Sequence, residues 1–180
     1  MVMEAVDIGI LGAEGLVGQE LLKILEERRF PAASVRLFDT DRTPGAEFFF
    51  SHTRLEVVEA SPDGFRNVDV MFFCDGIDSS RRLLPAAVQA GAVVVDDSGA
   101  VATDESVPLV VPEANAEAIL RHKGVLGNPG SSSIQLVMAL APLHRANPVK
   151  RVVVSTYQPV SCSGTAAALK ELTAQAKRVL

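Results

Sequence analysis

The stretch "LGNPGSSSIQ" (Leu126–Gln135) joins an apolar run to a long apolar segment through an Asn-Pro turn and three serines. A helix opening on such a turn suits a nucleophile, because its first N–H groups and its dipole favour negative charge. Ser131 offers a hydroxyl there, and a hydroxyl needs a dedicated base. His144 stands 13 residues further along the same segment, roughly 20 Å away at 1.5 Å per residue. His122 precedes the apolar run and His52 falls in a hairpin region, so neither makes a partner. The plainer role for Ser131 or Ser132 is to cap the helix. Cys162, in "PVSCSG", is a second candidate nucleophile, and Cys74 ends an apolar run and reads as packing. Asp96 and Asp97 are adjacent carboxylates with no His/Cys cluster nearby, so no metal site is expected. Glu113 in "VPEAN" could hold a substrate amine or serve a turn.

A second constellation lies near the start. "GILGAEGLVGQE" sets Gly9, Gly12, Gly15 and Gly18 between an apolar run and a helical pattern. Glycines in that context permit a tight turn and let a pyrophosphate approach backbone N–H groups at a helix start. The loop Gly12, Ala13, Glu14, Gly15, Leu16 and Val17 is therefore read as dinucleotide-binding, with Gly9 before it. Glu14 places a negative charge inside it. Asp39 follows 21 positions after Gly18, where a carboxylate binds a ribose 2′-hydroxyl and favours NAD. Arg42 and Thr43 come next and could hold a 2′-phosphate, favouring NADP. Both cofactors stay open at this point.

These residues need a scaffold. Strand-like runs occur at Val6–Leu11, Ser34–Asp39, Val68–Cys74, "GAVVVDD", "GVLGN" and Val149–Gln158, and Phe48–Phe50 pairs with Leu55–Glu59 as a hairpin. Helical spacing marks "LVGQELLKILEE", "RRLLPAAVQA" capped by Ser79 or Ser80, "AEAILRHK", Ser132–His144 and the last residues from "GTAAAL". Most strands are continuous apolar runs that alternate with helices. That order predicts a Rossmann-like, doubly wound, mostly parallel α/β sheet covered on both faces. A nucleotide-binding domain over residues 1–130 would be followed by the start of a second α/β domain over 131–180. The strand Val149–Gln158 would leave open edges, so the chain is expected to be partial or to dimerise.

Composition fits. Of 180 residues, 48% are hydrophobic, enough for a folded core. A net charge of -5, one Tyr and no Trp argue against nucleic acid as a partner. Two cysteines cannot build a disulfide framework, and the N-terminus reads as neither signal nor transit peptide. The expectation is a cytoplasmic protein with no membrane span.

With these pieces in place, the sequence resembles the aspartate-semialdehyde dehydrogenase family, over about the first half of a member. "GILGAEGLVGQELL", "AGAVVVDDSGA", "VPLVVPEAN" and "VVVSTYQPVSCSG" carry the likeness. The resemblance implies reversible reductive dephosphorylation of an aspartyl phosphate. An active-site cysteine forms a thioacyl intermediate, and a nicotinamide cofactor serves as redox partner. The cysteine belongs to an Asn-Pro-Asn-Cys-Ser/Thr turn. Here Asn128 and Pro129 match, Gly130 replaces the second Asn and Ser131 replaces the cysteine. Gln158 matches the glutamine that orients the intermediate, and Asn128 and Gln158 would touch the substrate. Gly76, Ser161 and Gly164 fall where the family places backbone against the cofactor. A phosphate-binding arginine should follow the run matched by Asp96–Gly99, and Ala102 stands at its position. A further catalytic arginine and histidine belong to positions past the one matched by Leu180. The combination resembles Usg-like paralogues, which keep the fold and lose catalytic residues. A homodimer and, where activity survives, a small-molecule substrate are implied.

Overall fold

A computed structural model describes residues 4–40, 47–159 and 166–179. Residues up to Pro142 form one compact unit, and Leu143–Leu180 form a second.

The first unit begins with strand β1 (Val6–Leu11), helix α1 (Leu16–Glu27) and strand β2 (Ala32–Asp39). Three short strands follow, β3 (Phe48–Phe50), β4 (Thr53–Leu55) and β5 (Val57–Glu59). Next come β6 (Val70–Phe73), α2 (Ile77–Gln89), β7 (Val93–Asp96) and the short α3 (Pro112–Asn115). Strand β8 (Val125–Gly127) leads to α4 (Ser131–Ala146), and α5 (Ala166–Val179) comes last. Six strands form one sheet in the order β5-β2-β1-β6-β7-β8, and every pairing in it is parallel. The predicted Rossmann-like doubly wound fold is what the chain adopts. Strand order reverses beside β1, and the loops after β1 and β6 flank that reversal, where α/β folds bind ligands.

Two cores explain why the strands are apolar throughout. On one face, Leu22 and Leu25 of α1 pack against Ile8, Ile10, Val35 and Leu37. With Gly18 they form the buried stripe of an amphipathic helix. On the other face, Leu83 and Ala87 of α2 pack with Phe65, Met71, Phe73 and Val94. Burying each such leucine or phenylalanine contributes about 2 kcal/mol.

Three sequence expectations change. The hairpin is β3 with β4, and β5 instead extends the main sheet beside β2. Val57 is buried in the α1-side core, a burial the hairpin pairing would not give. Ser79 and Ser80 lie inside α2, whose N-cap is Gly76. The Ser79 hydroxyl donates to the Gly76 carbonyl, and Ser80 is fully buried. Pro85 sits mid-helix on an exposed position, where water can satisfy the carbonyl it frees. Finally, the run Val149–Gln158 forms no strand. Among the described residues it has no neighbouring strand to complete a ladder, and Val153 is 83% and Tyr157 98% exposed.

Candidate functional site: a glycine cradle and a serine turn

The glycine loop closes on itself and on β6. Gly12 has φ +80, a conformation that disfavours any side chain. A Cβ there would lie 2.7 Å from the Asp75 nitrogen and 2.8 Å from the Cys74 carbonyl carbon. The loops after β1 and β6 therefore meet backbone to backbone. The Gly12 and Ala13 N–H groups donate to the Phe38 carbonyl, and the Gly15 N–H donates to the Gly12 carbonyl. A Cβ on Gly18 would meet that same carbonyl at 2.3 Å, so Gly18 lets α1 start against the loop. Gly9 sits inside β1 instead of in the loop. Its missing side chain makes room for the Met71 sulfur.

α1 opens at Gly15 with no side-chain cap, and Leu16 and Val17 in its first turn are exposed. Uncapped N–H groups at a helix start suit an anion. α2 opens likewise at Gly76, also without a side-chain cap. A cradle that a Cβ would fill, beside a bare helix start, fits a dinucleotide pyrophosphate. Between α1 and the sheet lies a trough of about 510 Å³, lined by Leu16, Val17, Leu21, Phe72, Cys74 and Val95 and reaching Asp97 and Asn128.

The carboxylates take defined roles. Asp39 is buried, accepting the Glu14 N–H at 3.2 Å and the Thr40 N–H at 2.8 Å. The Thr40 hydroxyl donates to Asp75 at 2.8 Å. Glu14 also accepts the Gln19 side chain on its carbonyl. Asp96 is fully buried and accepts the Ser98 hydroxyl and the Val101 N–H, which bends the chain after β7. Asp97 accepts the Asn128 amide at 2.5 Å. Partial burial pushes the Asp97 carboxyl above its ordinary value, the Asn128 bond pulls it down, and the Asp96 charge raises it again. Burial first, then Asp97 and Asp96, push the Cys74 thiol up to about 12. At neutral pH Cys74 is a protonated packing group, as its sequence position suggests. The links through Asp75 and Asp97 escape sequence reading. Their one signal is an aspartate directly after each apolar run.

Ser131 is the first residue of α4 and is exposed. The first helical bonds run from Ser133 and Ile134 N–H to the Gly130 carbonyl, so the helix opens on Gly130 backbone. The His122 ring accepts the Gly124 N–H on Nδ1, and the His144 ring accepts that of Val149. Both nitrogens serve local turns. Gln158 is exposed in the second unit, and Glu113 sits in the first turn of α3. Arg42, Thr43, Ser161, Cys162 and Gly164 lie outside the described residues. Among the described residues, no group of three His, Cys, Asp or Glu could hold a metal ion.

The chain is similar to known proteins over most of its length. Residues 7–122 match the family model described as semialdehyde dehydrogenase, NAD binding domain. The chain is 42% identical to aspartate-semialdehyde dehydrogenase of Bacillus subtilis and 44% identical to that of Prochlorococcus marinus. Each alignment covers 96% of the chain and 50% of the relative. Among solved structures it is similar to aspartate semialdehyde dehydrogenase II of Vibrio cholerae complexed with ASA. The TM-score is 0.88 and the identity 34%, over 96% of this chain and 52% of that one. The chain thus spans about half the length of these relatives. The matched residues include the whole glycine cradle, and the chain belongs to the semialdehyde dehydrogenase family, of which it carries the NAD(P)-binding domain.

Proposed function

We propose that this chain is a dinucleotide-binding member of its family that does not perform the family's covalent chemistry with its own residues. The carrying observation is Ser131. It stands at the helix start where the family resemblance puts a thiolate, and the described histidines nearest it in sequence hold turns. Attack by a thiolate forms a thioester, whose sulfur later leaves readily. A serine hydroxyl needs a base to attack and gives a poorer leaving group. Ala102 offers no charge to a substrate phosphate, and one lost charged contact weakens binding by about one to two powers of ten.

The residues that remain do the work of binding. The α1 start at Gly15–Val17 and the loop Gly12–Glu14 would hold the pyrophosphate. Asp39 would face a ribose, and the Gly76 turn would approach the cofactor from the β6 side. A bound nicotinamide cofactor supplies hydride transfer chemistry. Asn128 is already committed to Asp97, so it shapes the Ser131 turn as well as offering a substrate contact. Arg42, Thr43, Ser161, Gly164 and Gln158 complete the candidate set by family resemblance. A Usg-like, cytoplasmic homodimer is the setting we favour. Its support is the exposed apolar run Val152–Val154 with Tyr157. Among the described residues, no helix is long and apolar enough to cross a membrane.

The test pairs binding with turnover. Calorimetry should show heat with NAD or NADP. Reduced cofactor should not form from aspartate semialdehyde and phosphate. Turnover that disappears in Ser131→Ala would show a working serine nucleophile and defeat the non-catalytic reading.

A further inference from the structure

Two apolar surfaces stand uncovered among the described residues. The first is the trough beside α1. Met71, Phe73 and Val94 are buried on the α2 side of the sheet, while Phe72 and Val95 face the trough and are only half-buried. Ile24 on the opposite wall is exposed. The charged residues lining the trough are Glu20 and Asp97, both acidic. Glu20 pairs with Lys23 at 3.1 Å on the exposed side of α1, a surface pair weak enough to share. The second surface is α4. Its apolar residues run all the way round the helix, yet none is buried, and Val137 and Met138 are 37% and 46% exposed. A helix apolar on every side needs a surface to cover it. Its last turn carries His144 and Arg145.

We propose that α4 of one copy of this chain lies in the trough of a second copy, and that two copies exchange these helices reciprocally. Apolar surface then meets apolar surface, and the basic end of α4 brings positive charge to Glu20 and Asp97. The whole chain is divided in the same sense. Residues 1–142 carry 11 Lys and Arg against 21 Asp and Glu, and residues 143–180 carry six against one. Unlike parts of two copies therefore attract. Asn128 lines the trough and α4 starts three residues later, so each copy carries donor and acceptor side by side. A twofold exchange closes such a pair. It also buries the contact twice. With α4 roughly 24 Å long, that doubling brings the area toward the roughly 1,600 Å² of stable dimers. The inference rests on the homodimer reading above, for which it supplies the surface.

Sedimentation of the full chain over a range of concentrations tests it, with Ile24→Glu in the trough and Met138→Glu on α4. Thermal melts report whether each variant is folded, and the milder Ile24→Ser and Met138→Ser keep the test readable if a glutamate unfolds the chain. Wild type should be a dimer. Each glutamate variant should raise the dimer dissociation constant at least about tenfold. An equimolar mixture of the two should dimerise more tightly than either alone, because one intact α4 can still enter one intact trough. An effect of one folded variant alone overturns the pairing of these two surfaces. A mixture no tighter than its components overturns the reciprocal exchange. A dimer untouched by both variants overturns the inference and leaves the homodimer to the Val152–Val154 run. A monomer at every concentration overturns both readings and leaves dinucleotide binding intact.

Discussion

Two turns in this molecule each start a helix, and they are built in opposite ways. The turn before α1 is specified by what is missing. Gly12 and Gly18 leave no room for a Cβ, and Gly12 also needs positive φ. The turn before α4 is open. A Cβ on Gly130 would meet nothing within 4 Å, Ser131 is exposed, and α4 buries none of its residues. The first turn offers backbone N–H groups to a ligand, so what it offers is locked to the fold. The family resemblance puts the covalent chemistry on one side chain, which here is exposed. Cysteine or serine can stand there at little structural cost. Under the function proposed above, a fold could keep cofactor binding while the residue at the second turn changes.

The largest expected effect tests the open turn. In a Cys162→Ser background, Ser131→Cys places a thiol at an exposed helix start. With a pKa near the ordinary value of about 8.5, roughly a tenth is thiolate at pH 7.5. Cys74, pushed up to about 12, holds far less. Iodoacetamide should therefore label the introduced thiol about a thousandfold faster than Cys74, read by mass spectrometry. Equal labelling would mean the two positions do not differ as described.

The next effect contrasts the two turns directly. Gly12→Ala forces a side chain into a positive-φ position against the Asp75 backbone. It should cost about 3 kcal/mol in urea unfolding and weaken cofactor binding. Gly130→Ala should cost under about 1 kcal/mol, the scale of an N-cap change. Similar costs at both glycines would erase the distinction drawn above.

The locked turn was also the legible one. Gly-x-x-Gly-x-x-Gly between an apolar run and a helical stripe names its residues, because backbone geometry dictates them. Five of the six parallel strands were legible for the same reason, since burial on both faces leaves runs such as "VDIGIL" without alternation. The short β5 was not. Nothing local in "VVE" says whether it pairs with β4 or with β2, and the buried Val57 settles it only in the fold. "VKRVVVSTYQ" has strand composition, but a ladder needs a neighbour that composition does not supply. The brace from Asp39 to Glu14 and the Asn128–Asp97 bond join residues 25 and 31 positions apart. No spacing rule reaches that far.

The smallest effect belongs to the residue that links the two regions. Asp97 follows β7 next to Asp96, lies on the trough with Cys74, and accepts the Asn128 amide of the second turn. Burial, offset by Asn128 and reinforced by Asp96, raises its folded pKa above the ordinary carboxylate value. A raised folded pKa means the folded state binds the proton more tightly than the unfolded chain. The stability this contributes is full below the unfolded pKa and is lost as pH rises through the folded one. Asp97→Asn keeps an acceptor for Asn128 and removes the charge. The variant should match wild type most closely in acid and gain relative stability toward neutral pH. Solvent reaches Asp97, so the gain should stay under about 0.5 kcal/mol. Urea unfolding at several pH values isolates it, since the other carboxylates titrate in both proteins. A variant whose relative stability falls toward neutral pH would show that the Asn128 bond to a charged Asp97 outweighs burial. The second turn would then depend on that charge, and would be less open than its bare surroundings indicate.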